Sequence, residues 1–353
     1  MFAGRGMEGR MDRTQRRWLF ISIGFSLIVL IIVLAFTINA QTLKSLREIN
    51  PLFLLAAFLF HILTMCFWAL RVKLMSRSLG YRIGFFYSLN LVFANLLAAS
   101  ITPAQAGGEP VRIHELYRAE VPLGDATAIV IMERVLDGIV LVLLAGFSMI
   151  VLNQEWKQIG ESSGLLMLVT LIFVTGSLLL FAVFATRPEL TKRAMVWGAR
   201  LFTRRWDADR FSKLESRIRM EVDNFHGALR KFVQSAKSGL AFGLFFTILY
   251  WVSECVTASL ILLGLGQPPL FFESFVINLV LAILMMMPLT PGSSGVAEVG
   301  AASMYSLFLP SAILGIFIVI WRVVLYYFNI CLGVISSVLI FRREAEAATT
   351  SRR

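Results

Sequence analysis

Long apolar runs alternate along this chain with short segments rich in lysine and arginine. A helix needs about twenty apolar residues to cross the hydrocarbon core of a bilayer. Six runs reach that length and predict six full transmembrane helices, at residues 18–38, 51–70, 125–152, 164–185, 239–264 and 310–341. The third, the fifth and the sixth run carry charged residues in their interiors, where an ordinary span avoids them.

Two further apolar runs end in broken backbone. One leads into TPAQAG at 102–107 and the other into TPGSSG at 290–295. Proline and glycine stop a helix. The pattern of charged loops places both ends of 85–118 inside the cell and both ends of 271–309 outside. Each segment therefore predicts a re-entrant helical hairpin with the Thr-Pro break at its tip.

Basic residues concentrate in four segments. Residues 1–17 hold five arginines, 71–84 hold four basic residues and no acid, 187–237 hold thirteen Lys or Arg against six Asp or Glu, and the tail 342–353 holds four arginines. The excess of positive charge in cytoplasmic loops predicts that all four segments, and so both termini, are cytoplasmic. Apolar residues at helical spacing within 187–237 predict one or two amphipathic helices, lying on the membrane or on the protein.

Composition agrees with this class. Of the 353 residues, 58% are hydrophobic and 16% are charged, which is typical of a polytopic membrane protein. The basic loops explain the net charge of +11, so we expect no nucleic-acid partner. The three cysteines and three histidines show no metal-ligand spacing, and nucleotide-binding and hydrolase motifs are missing. We predict no metal, no cofactor and no enzymatic activity, and one transmembrane domain at 18–341.

An internal repeat relates the two broken runs. Shifted by 188 residues, NLVFANLLAASITPAQAG at 90–107 aligns with NLVLAILMMMPLTPGSSG at 278–295, with eight identical positions in eighteen. The same shift aligns Arg134 with Arg322. The first repeat, 51–152, is predicted to start outside and the second, 239–341, inside. We therefore predict an inverted repeat, which is common among membrane transporters.

Arg134 and Arg322 are the predicted centre of a binding site. Each lies twelve residues beyond a proline that starts a span, which is roughly 18 Å along a helix and near the middle of a core of about 30 Å. Charges at that depth are costly and usually functional, and a guanidinium suits phosphate or carboxylate. Internal ion pairs are the alternative: Arg134 with Glu133, Asp137 or Glu109, and Arg322 with Glu298 or Glu254.

The acids and the hairpin tips complete the predicted site. Glu133 and Asp137 share a helix face and could carry a proton or a cation, or could neutralise the arginines. Backbone N–H groups at a tip attract anions, and glycine allows close approach. The tip hydroxyls are expected to cap the break or to bind the ligand. The substrate-binding residues predicted from the pattern are Arg134, Arg322, Glu109, Glu133, Asp137, Glu298, Glu254, Thr102, Gly107, Gly108, Thr290, Gly292 and Gly295.

These motifs resemble a known family. TPAQAGGEPVRIHEL at 102–116, followed by MERVLDG at 132–138, resembles the transmembrane region of lysylphosphatidylglycerol synthases and its stand-alone, flippase-like relatives. PLTPGSSGVAEVG at 288–300 is similar to the second signature of that family. The resemblance covers about 49–341. Residues that match the first signature are Gly107, Gly108, Glu109, Pro110, Arg112, Glu133, Arg134 and Asp137, and those that match the second are Thr290, Pro291, Gly292, Gly295 and Glu298. Arg112 joins the predicted site through this resemblance.

The resemblance implies movement of lipids between leaflets. A soluble aminoacyltransferase domain follows the membrane region in the synthases, whereas about twelve residues follow the last predicted span here, so synthase activity is not expected. We predict a flippase or scramblase in the cytoplasmic membrane of a prokaryote. Its partners would be membrane lipids: anionic or aminoacylated phospholipids, or polyprenyl-phosphate. The sequence does not decide whether the protein forms a homo-oligomer. The alternative is an ion-coupled secondary transporter of a small soluble anion.

Overall fold

The computed structural model describes residues 24, 27, 28, 31, 49–102, 105–151, 161–203, 208–285, 290 and 292–350. Regular structure within these ranges is helical throughout, which confirms the predicted all-α class. The predicted first span at 18–38, apart from four helical residues, and the basic segment 1–17 lie outside the described residues.

The helices follow one another in a simple order. They are α1 (Pro51–Ser78), α2 (Phe85–Ser100), α3 (Gly108–Arg118), α4 (Leu123–Val151), α5 (Glu161–Thr186), α6 (Pro188–Phe202), α7 (Ala208–Gln234), α8 (Lys237–Gly264), α9 (Phe271–Leu284), α10 (Val296–Tyr305), α11 (Ser311–Arg322) and α12 (Phe328–Thr350). A π-helical turn, Val323–Tyr327, joins α11 to α12.

Three helical stretches of the described chain are long and apolar enough to cross a membrane. They are α1, α8 and the run Ser311–Ile340 through α11 and α12. Leucines of α1 such as Leu52 and Leu59 are exposed, as expected of a surface that faces lipid. A fourth candidate is the bent pair formed by α5 and α6. The protein is therefore multi-pass, and its described residues provide three to four candidate spans, where six were predicted for the whole chain.

The helix α4 covers a further predicted span. It has 29 residues, which is long enough to cross a bilayer. It carries four charged residues: Asp125, Glu133, Arg134 and Asp137.

Both predicted breaks are present. The apolar helix α2 stops at Ser100 and α3 starts at Gly108, while α9 stops at Leu284 and α10 starts at Val296. With 16 and 14 residues, α2 and α9 are shorter than the twenty or so that a full crossing needs. Their orientation in a bilayer stays a prediction.

Two helices extend beyond the predicted spans. The helix α1 continues past residue 70 to Ser78, so Arg71 lies inside a helix. The helix α12 continues to Thr350, while the candidate span ends at Ile340, next to the predicted end at residue 341. A charged side chain does not by itself terminate a helix, and the cytoplasmic location of 71–84 and of 342–353 stays a prediction.

The described chain divides into two compact units. The second unit comprises 67–88 and 112–251. Within it the predicted amphipathic segment forms two helices, α6 and α7, and α7 packs on α4 and on α6. Gly124 of α4 allows this contact, because a Cβ there would lie 2.5 Å from the carbonyl oxygen of Glu221. The segment was predicted to lie on the membrane or on the protein, and its helix α7 lies on the protein.

The helix α6 turns sharply away from α5. The two axes differ by 101°. Arg187 precedes Pro188, and a residue before proline is disfavoured in helical conformation, so the helix breaks there.

The first unit comprises the described residues up to Cys66, together with 89–111 and 252–350. Its core lies where α10 packs on α9 and α11. The rings of Tyr305 and Phe317 stack there with their centres 4.5 Å apart, and both side chains are fully buried. This core holds the second break in place.

Candidate functional site

Four charged side chains form a buried cluster in the second unit, and we call Arg71, Arg112, Glu133 and Asp137 the charge cluster. Arg71 donates from Nε to Oε1 of Glu133 at 2.8 Å and from Nη1 to Oδ1 of Asp137 at 2.7 Å. Arg112 donates to the other oxygen of Glu133. Glu133 and Asp137 meet the same arginine because they lie one helical turn apart on α4. Two positive and two negative charges thus balance inside the protein.

Neighbouring side chains of α1 and α8 hold the cluster in place. Thr247 of α8 accepts a hydrogen bond from Nη1 of Arg71 at 2.9 Å. Trp68 lies three residues before Arg71 on the same face of α1. Its ring centre lies 5.9 Å from the guanidinium carbon of Arg71 and 5.2 Å from that of Arg112. These distances fall within the range of cation–π attraction.

Arg134 lies beside the cluster and differs from it in exposure. Its Nη1 is 3.4 Å from Oδ2 of Asp137, and its side chain is 45% exposed. Its guanidinium carbon is 5.7 Å from the Trp68 ring centre, so three arginines surround one indole. The charge cluster is neutral, so with Arg134 the five side chains carry a net charge of +1. Arg134 is thus the most accessible charged group of the five.

The two breaks contact each other within the first unit. The backbone N–H of Gly292 donates to the carbonyl of Thr102 at 3.0 Å. Gly292 has φ of +58°, and a Cβ there would lie 2.4 Å from the carbonyl oxygen of Ser100. Only glycine fits so close an approach in that conformation.

Polar groups at the breaks bond mainly to one another. Thr102 Oγ1 accepts from the N–H of Gly107 at 2.8 Å and donates to the carbonyl of Ala98 at 2.9 Å. Thr290 Oγ1 donates to the carbonyl of Ser294 at 2.6 Å. Of the two roles predicted for these hydroxyls, capping is the one that the contacts describe. Ligand binding by the tip residues stays a prediction.

The second break is tied to the π-helical turn by a salt bridge. Glu298 accepts from the N–H of Gly295 at 2.7 Å with one oxygen and pairs with Nε of Arg322 at 2.9 Å with the other. The Arg322 guanidinium lies 4.0 Å from the ring centre of Tyr326, whose hydroxyl accepts from Ser294 at 3.1 Å. Arg322 and Glu298 are buried. The predicted alternative of an Arg322–Glu298 pair is therefore confirmed.

Glu254 pairs elsewhere. Its Oε1 lies 3.7 Å from Nδ1 of His61, and the other ring nitrogen of His61 is 2.9 Å from Oδ1 of Asn329. All three residues belong to the first unit.

One ionisable contact lies in the loop that follows α1. Tyr81 donates its hydroxyl to Asp125 at the start of α4. Partial burial and this bond to the carboxylate raise the pKa of Tyr81 to about 12. The phenol therefore stays neutral over the ordinary pH range and joins the loop to α4.

The predicted residues thus fall into separate groups of contacts. Arg112, Glu133, Arg134 and Asp137 meet in the second unit, while Glu298, Gly295 and Arg322 meet in the first, as do Thr102, Gly107 and Gly292. Glu109 and Gly108 lie in the first turn of α3. That Arg134 and Arg322 line one shared cavity stays a prediction.

Sequence reasoning missed the residues that contact the predicted site residues from other helices. They are Arg71, Trp68, Thr247, His61, Asn329 and Tyr326. A signal existed for Arg71, because Trp68 and Arg71 stand one turn apart at the end of an apolar run. A tryptophan that close to an intramembrane charge marks a cation–π partner.

Known proteins are similar to this chain over most of its length. The sequence profile of the lysylphosphatidylglycerol synthase TM region matches residues 19–333. A UPF0104 membrane protein of Archaeoglobus fulgidus is 34% identical over 320 residues, covering 90% of this chain and 95% of that protein. A UPF0104 membrane protein of Pyrococcus horikoshii is 23% identical over 302 residues, covering 82% and 87%. One from Methanocaldococcus jannaschii is 22% identical over 324 residues, covering 91% and 94%.

Proposed function

This chain belongs to the family of the lysylphosphatidylglycerol synthase transmembrane region, and from that premise we propose that it moves a phosphate-bearing lipid between the two leaflets of a membrane. The lipid would be a phospholipid, an aminoacylated phospholipid or a polyprenyl-phosphate. The protein would act as a flippase or scramblase without a catalytic step.

The observation that carries the proposal is the exposure of the Arg134 guanidinium beside the buried charge cluster. A phosphate head group needs a cation that it can reach. The four side chains of the charge cluster are buried, whereas the Arg134 side chain is 45% exposed. Arginine's planar fork pairs with phosphate oxygens through two parallel hydrogen bonds.

The charge cluster would orient Arg134 and let it exchange partners. Asp137 holds Arg134 at 3.4 Å, which is longer than a charge-assisted hydrogen bond. A phosphate can compete with so loose a contact. Asp137 would meanwhile keep its tighter bond to Arg71 at 2.7 Å, so the cluster stays intact when the head group binds.

The topology belongs to the proposal as well. We propose six spans, two re-entrant hairpins that enter from opposite faces, and both termini in the cytoplasm. The charge pattern, the repeat at 90–107 and 278–295, and the two broken helices support this arrangement.

The test is leaflet exchange of fluorescent phosphatidylglycerol in proteoliposomes. Arg134→Gln removes the accessible positive charge and is expected to slow exchange about tenfold, the effect of losing roughly 1.4 kcal/mol of head-group binding. Arg219→Gln is the matched control, because the Arg219 side chain is 46% exposed and also pairs along its own helix. It should exchange lipid at the wild-type rate.

Two results would count against the proposal. Wild-type vesicles could exchange lipid no faster than vesicles without protein, or folded Arg134→Gln could match the wild type. Uptake of inorganic phosphate into the same vesicles, without lipid exchange, would instead support the alternative of a soluble-anion transporter.

A further inference from the structure

A buried histidine and a buried glutamate face each other in the first unit, and the head-group site proposed above uses neither. His61 lies on α1 with 1% of its side chain exposed, and Glu254 lies on α8 with 13% exposed. Both helices are candidate membrane spans. Ionisable side chains inside a span are costly and are usually retained for a function.

Asn329 determines which nitrogen of His61 carries hydrogen. The amide nitrogen of Asn329 donates to the carbonyl of Leu325 at 2.6 Å, so its amide oxygen is the atom 2.9 Å from Nε2 of His61. In the reverse orientation, the amide oxygen of Asn329 would face the carbonyl oxygen of Leu325, and neither atom can donate a hydrogen bond. An amide oxygen only accepts, so Nε2 must donate. In the neutral ring, Nδ1 is then a bare acceptor.

This bare nitrogen lies beside a second acceptor. The distance from Nδ1 to Oε1 of Glu254 is 3.7 Å, and Nδ1 of His61 makes no hydrogen bond to the described residues. An ionised carboxylate also only accepts. With His61 neutral and Glu254 ionised, a lone pair on Nδ1 would therefore face a lone pair on Oε1 of Glu254 away from water. A proton bound to either of the two groups would replace this repulsion with a hydrogen bond of about 2.8 Å.

The described side chains that contact the pair are uncharged. Phe58 of α1 and Phe328 of α12 pack edge to face, and the Phe328 ring lies 6.4 Å from that of His61. From α12, Asn329 is uncharged. On α8 the neighbouring thiol of Cys255 hydrogen-bonds with Asn278. Glu254 is thus the charged group that these contacts bring to His61, and a single proton decides the charge of the site.

We propose that His61 and Glu254 form a binding site for one exchangeable proton, and that this proton is the coupling ion of transport. The second half rests on the lipid transport proposed above. The pair joins α1 to α8, and Asn329 adds α12, so the site links the three apolar stretches that can span a membrane. Loading the proton turns a repulsive contact between α1 and α8 into an attractive one and so biases their packing.

Histidine NMR tests the proton site without any transport. The protein is labelled with ¹⁵N-histidine in detergent, and the signal of His61 is assigned by its loss in His61→Gln. We expect the ¹⁵N chemical shift of Nδ1 of His61 to change in Glu254→Gln, since the carboxylate partner is gone, and to stay unchanged in the control His114→Gln, which alters an exposed histidine. An Nδ1 signal identical in wild type and Glu254→Gln would overturn the site.

Lipid exchange under an imposed pH gradient tests the coupling. Wild-type proteoliposomes should exchange fluorescent phosphatidylglycerol about tenfold faster in one gradient direction than in the other, equivalent to roughly 1.4 kcal/mol. Glu254→Gln should exchange lipid equally in both. Exchange that ignores the gradient in the wild type would refute the coupling and leave the proposed function standing. No wild-type exchange at all would remove the proposed function and the coupling together, while the NMR result would still decide the proton site.

Discussion

Loss of the Arg71 guanidinium should be the most damaging single change in the charge cluster. Arg71→Met keeps an unbranched side chain with a similar helix preference but removes hydrogen bonds to Glu133, Asp137 and Thr247. The charge of the four cluster side chains falls from zero to −1. Breaking one partner of a buried ion pair costs about 3–5 kcal/mol, which corresponds to a factor of at least a hundred in the folding equilibrium.

Reversible unfolding in mixed detergent micelles measures this loss. Arg134→Met is the matched comparison, because it removes the same group from the same site. Arg134 is 45% exposed and contacts Asp137 at 3.4 Å, so its removal should cost about 0–1 kcal/mol. The double variant Arg71→Met with Asp137→Asn restores neutrality and leaves the Arg112–Glu133 pair, so it should recover part of the loss.

Two outcomes would refute the reasoning. The first is equal unfolding free energies for Arg71→Met and Arg134→Met, which would mean that burial does not separate them. The second is a double variant no more stable than Arg71→Met, which would show that charge balance is not what Arg71 provides.

Two further predictions concern the break and the loop after α1. Gly292→Ala places a Cβ 2.4 Å from the Ser100 carbonyl at φ of +58°, and should destabilise the protein by about 1–3 kcal/mol in the same unfolding assay; Gly176→Ala, which meets open space, should not. Tyr81 has a pKa raised from 10 to about 12, so its contribution to stability is full below pH 10 and is lost as pH rises to about 12. The difference in melting temperature between wild type and Tyr81→Phe should therefore shrink as pH rises from 10 to about 12; a difference that stays the same over that range would contradict the role of the bond to Asp125.

Features that depend on residues close together in the chain, such as helix breaks and ion pairs within one helix, could be predicted from the sequence. Proline and glycine mark both breaks, at 102–107 and 290–295, because they stop a helix wherever they stand. Arg134 and Asp137 pair because three residues along a helix bring side chains together. The pair of Arg322 with Glu298 was one of the two ion pairs predicted for Arg322.

Contacts between distant segments could not be predicted in the same way. Arg71 is 62 residues from Glu133 in the chain, and His61 is 268 residues from Asn329. No periodicity joins such positions, because their approach depends on how whole helices pack. Arg71 was therefore assigned to a loop from its charge alone, although its two acidic partners allow it to be buried within α1.

The repeat aligns Arg134 with Arg322, but their surroundings differ. Arg322 is buried, lies 4.0 Å from the Tyr326 ring centre, and shares Glu298 with the N–H of Gly295. The enclosed guanidinium holds the second break to the π-helical turn. Its release would leave the buried carboxylate of Glu298 without this counter-ion. Arg134 is half-exposed beside a cluster that is neutral without it. Because a head group must reach its cation before it can bind, we expect ligand exchange at Arg134, whereas the position aligned with it in the second repeat maintains the shape of the break.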